Sequence, residues 1–258
     1  MAGMTAQQLN LFADDGVRID AEHLPGGDAT GANGLCVVLL HGFTCHRRLP
    51  MLRRIATVLN RSGAVLSLDF RGHGRSGGRS TVGDREVLDV EAAVAHARRI
   101  GYERVVPVGF SMGGAVAVRH AALHGGVDAV VAVSAPARWY YRGTAMMRRV
   151  HWAAERPAGR FAARIVRGTR ITAAGWDPVP EAPHELAGRI APVPFLVVHG
   201  DADPFFPLEH AEQLYGAAGE PRELWVEPGF GHAEAAATPI LIERIGRWIA
   251  SAVAPAGG

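Results

Sequence analysis

The most constraining stretch of this chain is residues 105–118. It opens with the apolar run Val105-Val106-Pro107-Val108, passes through Gly109-Phe110-Ser111-Met112-Gly113, and continues as the small-residue pattern Gly114-Ala115-Val116-Ala117-Val118. A G-x-S-x-G pentapeptide between a strand and a helix makes a turn so tight that only small residues fit two positions either side of the serine. The turn presents the Ser111 hydroxyl at the C-terminal edge of a sheet. The first helical amides, starting with Met112, point at the space beside it, where anionic oxygen is favoured. Alone, the pentapeptide also reads as a glycine-rich turn with a solvated serine. Its weight depends on a histidine and an acid following in suitable loops.

The rest of the chain supplies a frame for such a turn. Residues 9–12 and 17–21 read as short strands around Asp14-Asp15-Gly16, and 25–34 as a glycine-rich loop. Continuous apolar runs at 35–40, 65–68, 129–133 and 195–198 have the composition of strands covered on both faces. Helical spacing occupies 49–59, 87–100 and 112–123, the second with Val87, Val90, Val94 and Ala97 on one face. A helix near 208–215, a strand at 223–226, a last helix at 239–250 and a frayed tail complete the order. This alternation requires an α/β fold: a mostly parallel sheet with helices on both faces and right-handed crossovers.

The alternation breaks after Pro136 and resumes at Phe195. Residues 137–194 are therefore expected to form a small helical cap inserted into a core made of 1–136 and 195–258, not an independent domain. The insertion carries Arg138, Arg142, Arg148, Arg149, Arg156, Arg160, Arg164, Arg167 and Arg170, with aromatic, Met and aliphatic residues between them. The plain reading makes these arginines the solvated face of one or two amphipathic helices. The functional reading is a lid whose apolar face lines a substrate pocket and whose basic face makes weak contact with acidic lipid surfaces.

Length and charge bound the remaining possibilities. At 258 residues the chain suits one large α/β domain, and a net charge of +2 gives no drive toward nucleic acid. All 27 cationic side chains are arginine. The two cysteines make neither a disulfide framework nor a metal site; Cys36 reads as a buried free thiol and Cys45 as partly exposed. Residues 1–15 lack the pattern of a signal peptide, and no apolar run approaches the ~20 residues of a membrane span. The expectation is a cytoplasmic protein with reduced thiols and neither metal nor organic cofactor.

An attacking serine needs a base, a carboxylate to orient that base, and amides where an oxyanion forms. The acid candidates follow the strand at 195–198, in Gly200-Asp201-Ala202-Asp203-Pro204. Asp203 lies beyond the strand end, where a loop turns its carboxylate inward. Asp201 reads as a turn-former bonding local amides. The base candidate is His232, on Gly229-Phe230-Gly231-His232 between the last strand and the last helix. The other histidines read as solvated or locally bonded. A second oxyanion amide is expected from His41-Gly42-Phe43: Gly42 permits an unusual backbone angle, the Phe43 amide joins that of Met112, and His41 is a structural hydrogen-bonder.

These segments, with Asp69-Phe70-Arg71-Gly72-His73-Gly74-Arg75-Ser76, give the chain a resemblance to the α/β-hydrolase superfamily. Within it the chain resembles bacterial serine hydrolases akin to monoacylglycerol lipases and the serine aminopeptidase-like group. The resemblance implies Ser111 as nucleophile, Asp203 as acid, His232 as base, and the Phe43 and Met112 amides as the oxyanion hole. It also implies that the Asp69–Ser76 segment orders the loop beside the site. The arginine-rich cap matches no lipase lid, which sets long-chain glycerides apart from the expected substrates. The expected activity is hydrolysis of carboxylic esters with small to medium acyl chains, monoacylglycerol-like ones among them, through an acyl-enzyme. The same parts suit a thioesterase, amidase, acyltransferase or carbon–carbon bond hydrolase, and a ligand sensor is a third class. The partner expected is a small-molecule acyl ester.

Overall fold

The apolar run Leu35–Leu40 is a strand, β3, in which every residue is buried. Its side chains divide by parity. Cys36, Val38 and Leu40 enter one apolar layer, and Leu35, Val37 and Leu39 enter another on the opposite face. A computed structural model describes residues 6–26 and 34–254. Most of the loop expected at 25–34, and the tail after residue 254, lie outside the described residues.

Around β3 the sheet has the order β1-β2-β4-β3-β5-β6-β7-β8. β1 (Gln7–Phe12) and β2 (Arg18–Leu24) form the expected antiparallel hairpin, and β2 runs antiparallel to β4 (Ala64–Leu68). β3, β4, β5 (Arg104–Phe110), β6 (Val130–Val133), β7 (Phe195–Gly200) and β8 (Arg222–Glu227) are mutually parallel. This is an α/β-hydrolase fold. Helices α1 (Pro50–Leu59) and α9 (Pro239–Ala252) bury apolar stripes on one face. Helices α2 (Glu86–Arg99), α3 (Met112–Leu123) and α7 (Glu209–Ala217) bury theirs on the other.

The chain leaves β3 outward to β4 and then returns across it to β5. The strand order thus reverses between β3 and β5, and ligands of open α/β sheets bind at such a point, beyond the C-terminal strand ends. The loops carrying Phe43 and Ser111 both emerge there.

Residues 137–194 contain α4 (Ala145–Glu155), α5 (Pro157–Arg167), α6 (Pro183–Leu186) and a 3-10 turn at Ala187–Arg189. α4 and α5 pack mainly on each other, and no residue of α4 is buried. The pair is pinned at its two ends. Thr144 caps α4 by accepting the Met147 amide, and its hydroxyl donates to the Phe205 carbonyl at 2.9 Å. Beyond α5, the Arg170 amide donates to Gly72 O and the Ser80 amide to Arg170 O, both at 2.7 Å. A short helix α8 (Ala233–Ala236), which periodicity did not reveal, precedes α9.

Candidate active site

Ser111 joins β5 to α3 with φ 51° and ψ −118°, a backbone conformation that side chains rarely adopt. Crowding keeps it there. A Cβ on Gly109 would lie 2.2 Å from Gly113 O, and one on Gly113 would lie 2.6 Å from Leu40 O. The turn is pressed against the end of β3, and the Ser111 amide is tied to Val133 O at 2.8 Å.

His232, on the loop between β8 and α8, places Nε2 2.9 Å from Ser111 Oγ. Its Nδ1 lies 2.8 Å from Asp203 Oδ2, on the loop after β7. With Nδ1 donating to the carboxylate, Nε2 is left to accept the serine proton. The other carboxylate oxygen, Oδ1, accepts the Phe205 and Phe206 amides at 2.8 and 3.1 Å. No surface of the Asp203 side chain is exposed. The Phe205 ring stacks on the imidazole with centroids 4.1 Å apart, which screens the His232–Asp203 bond from water.

Asp201 stands outside this relay, and its role differs from the local turn expected of it. Its Oδ1 accepts the Gly229 amide at 2.6 Å, bracing the His232 loop from 28 residues away. Gly42 also corrects its expectation. Its backbone is not among the positive-φ glycines. A side chain is excluded there by space, because a Cβ would meet Glu234 Oε1 at 2.9 Å and Ser111 Cβ at 3.2 Å.

The loop after β3 is held from three sides. His41 donates through Nδ1 to Gly42 O at 2.8 Å and accepts the Phe70 amide on Nε2 at 3.0 Å. His73 accepts the Thr44 amide on Nε2 at 3.2 Å. Glu234, buried on α8, accepts the Gly42 amide at 3.0 Å. Among the described residues no acceptor takes the amide of Phe43 or that of Met112, so both remain available to an oxygen bound beside Ser111. The Asp69–Ser76 segment supplies the bracing. Asp69 accepts the Arg47 and Arg75 amides at 2.7 and 3.0 Å, and Arg71 is clamped by Asp89 and Asp15.

Several histidines read as solvated or locally bonded are fully buried, among them His73, His120, His199 and His210, and His41, expected to be a structural hydrogen-bonder, is buried as well. Burial pushes the imidazoles of His41 and His199 down, that of His73 to about 3 and that of His210 to about 4. His199 lies behind the acid, with Nε2 donating to Phe206 O at 3.0 Å and sitting 3.9 Å from Asp203 Oδ2. Both cysteines are free. Burial pushes the Cys36 thiol up to about 12; burial and the Glu234 carboxylate push Cys45 up as well. Neither thiol is activated for nucleophilic attack. Glu234 and His199 were invisible in the sequence: one is a glutamate in an alanine-rich segment, the other a histidine ending a strand. Among the described residues no group of three or more His, Cys, Asp or Glu side chains is placed to hold a metal ion.

A mostly parallel sheet with a serine elbow after β5, an acid after β7 and an imidazole after β8 defines a serine hydrolase of the α/β-hydrolase superfamily. Comparison with known proteins gives the narrower assignment. The chain belongs to the serine aminopeptidase S33 family, whose model matches residues 32–174, more than half of the sequence. The matched stretch includes Ser111 and ends before Asp203 and His232. The protein YfhR of Escherichia coli O157:H7 is 25% identical over 244 residues, covering 90% of this chain and 75% of YfhR. The Pyrococcus furiosus esterase Pf2001 superposes with a TM-score of 0.74 at 22% identity, covering 97% of this chain and 92% of that one. XC6422 of Xanthomonas campestris, described as a serine hydrolase without a lid, superposes at 0.67 with 17% identity, covering 98% and 97% of the two chains.

Proposed function

We propose that this protein hydrolyses carboxylic esters of small to medium acyl chains, monoacylglycerol-like esters included, through an acyl-enzyme on Ser111. The observation that carries the reading is the unbroken relay from Ser111 Oγ through His232 to Asp203, with contacts of 2.9 and 2.8 Å. In the acylation step His232 Nε2 takes the serine proton as Oγ attacks the ester carbonyl. The carbonyl oxygen becomes an oxyanion within reach of the Phe43 and Met112 amides. The imidazolium, steadied by Asp203, then protonates the leaving alkoxide. Water enters by the same route in reverse: His232 takes its proton, hydroxide attacks the acyl carbonyl, and Ser111 leaves with the proton returned.

The test is turnover of p-nitrophenyl esters of graded chain length by the wild type and by Ser111→Ala. Wild-type turnover peaking at short to medium chains, lost by several orders of magnitude in the folded variant, supports the reading. Undiminished hydrolysis by Ser111→Ala sinks it. Matched thioesters, p-nitroanilides, β-diketones and an added alcohol acceptor, run alongside, separate ester hydrolysis from the other chemistries open to this relay.

A further inference from the structure

Helix α5 is amphipathic, yet it turns its apolar row outward. Gly159 and Ala163, one turn apart, face inward. Phe161 and Ile165, also one turn apart, are each 67% exposed. Arg160, Arg164 and Arg167 follow at i, i+4 and i+7 and form a separate row beside them. On α4, Trp152 is 49% exposed. An apolar row of this kind is ordinarily the buried side of a surface helix.

Charge decides what covers it. Of the arginines between 138 and 170, only Arg138 and Arg142 reach a carboxylate among the described residues, Glu209 and Glu155 respectively. Glu155 is the sole acidic residue on α4 and α5. A second copy docking through this face would bring two uncompensated arginine rows together, at a cost. A sheet of anionic headgroups over an acyl layer complements both features at once: the exposed Arg164 and Arg167 meet phosphates while Phe161 and Ile165 enter the acyl boundary, Arg160 being held on the Ala154 and Glu155 carbonyls.

We infer that the α4–α5 hairpin is a docking surface for anionic lipid membranes. The hairpin suits this use mechanically, because its helices pack mainly on each other and are pinned at their ends. One pin, Thr144 on Phe205 O, ends at the residue whose ring stacks on His232, so the hairpin is anchored beside the relay.

The test is co-sedimentation of the whole protein with phosphatidylcholine vesicles and with equal-part phosphatidylcholine–phosphatidylglycerol vesicles at low salt. Binding to the anionic vesicles should be about tenfold stronger or more, and should fall as salt rises. Arg164→Gln should weaken it about fivefold, and Phe161→Ser about tenfold; both positions are exposed, so folding and turnover of a soluble ester should be unchanged. Ser111→Ala should bind vesicles as the wild type does, which separates this inference from the ester-hydrolase reading. Equal binding to both vesicles, binding to neither, or binding indifferent to both substitutions overturns it. So does a lipid-free dimer, seen by sedimentation velocity, that Phe161→Ser dissolves, since the face would then belong to a second copy.

Discussion

Glu234 Oε1 accepts the Gly42 amide at 3.0 Å and so ties the loop carrying His232 to the loop carrying Phe43. The two residues are 192 positions apart. The bond occupies the Gly42 amide, whereas the next amide, that of Phe43, has no acceptor among the described residues. Removing the acceptor leaves a buried N–H unmet, at a cost of about 1–3 kcal/mol. In Glu234→Ala, kcat on a p-nitrophenyl ester should fall about tenfold or more while KM stays within about twofold. Glu234→Gln keeps an oxygen acceptor and should recover most of kcat. Equal loss in both variants would refute the positioning role.

The two aspartates of the β7 loop should separate cleanly. Asp203→Ala removes the partner that orients His232 Nδ1 and should cost roughly four orders of magnitude in kcat. Asp201→Ala removes a brace on Gly229 and should cost less than about tenfold, with a lowered Tm. Steady-state kinetics and thermal melts of the two folded variants check this.

Buried imidazoles make stability depend on acid. The folded state holds His73 and His210 well below the ordinary histidine value, at about 3 and about 4, because burial disfavours the charged ring. Above an unfolded value of about 6.5 both states are neutral and nothing is lost. As pH falls below that value the unfolded chain takes up protons that the folded chain refuses. Stability must therefore drop progressively, and the loss is complete once the folded rings also protonate, near pH 3–4. His41 and His199 are shifted in the same direction and steepen the slope. Urea unfolding between pH 7 and pH 4 should show more than one proton taken up per molecule on unfolding; a flat profile would contradict this.

Much of the architecture was legible because strong periodicity and tertiary packing agree. The run at 35–40 is β3, and the span 112–123 is α3. Asp201 and Asp203 both lie past the end of β7 and both reach the His232 loop, Asp201 at the Gly229 amide and Asp203 at the imidazole, so distance from the strand end alone does not separate them. Contacts between distant loops were not legible. Nothing adjacent in sequence announces that Glu234 reaches Gly42, or that Asp201 reaches Gly229. Gly42 illustrates the same limit: a backbone-angle argument looked sufficient, whereas a carboxylate from α8 fills the space. Helix α5 shows a third kind of gap, because amphipathicity predicts a buried apolar face, whereas Gly159 and Ala163 meet the neighbouring helix and Phe161 and Ile165 are exposed.

The strand order has a consequence for biosynthesis. Ser111 follows β5 and His232 follows β8, at the edge of the sheet. A ribosome makes the elbow long before it makes His232, so a nascent or C-terminally clipped chain has Ser111 without the imidazole that stands 2.9 Å from it. Under the proposed mechanism, the last strand and its pairing with β7 are what complete the site.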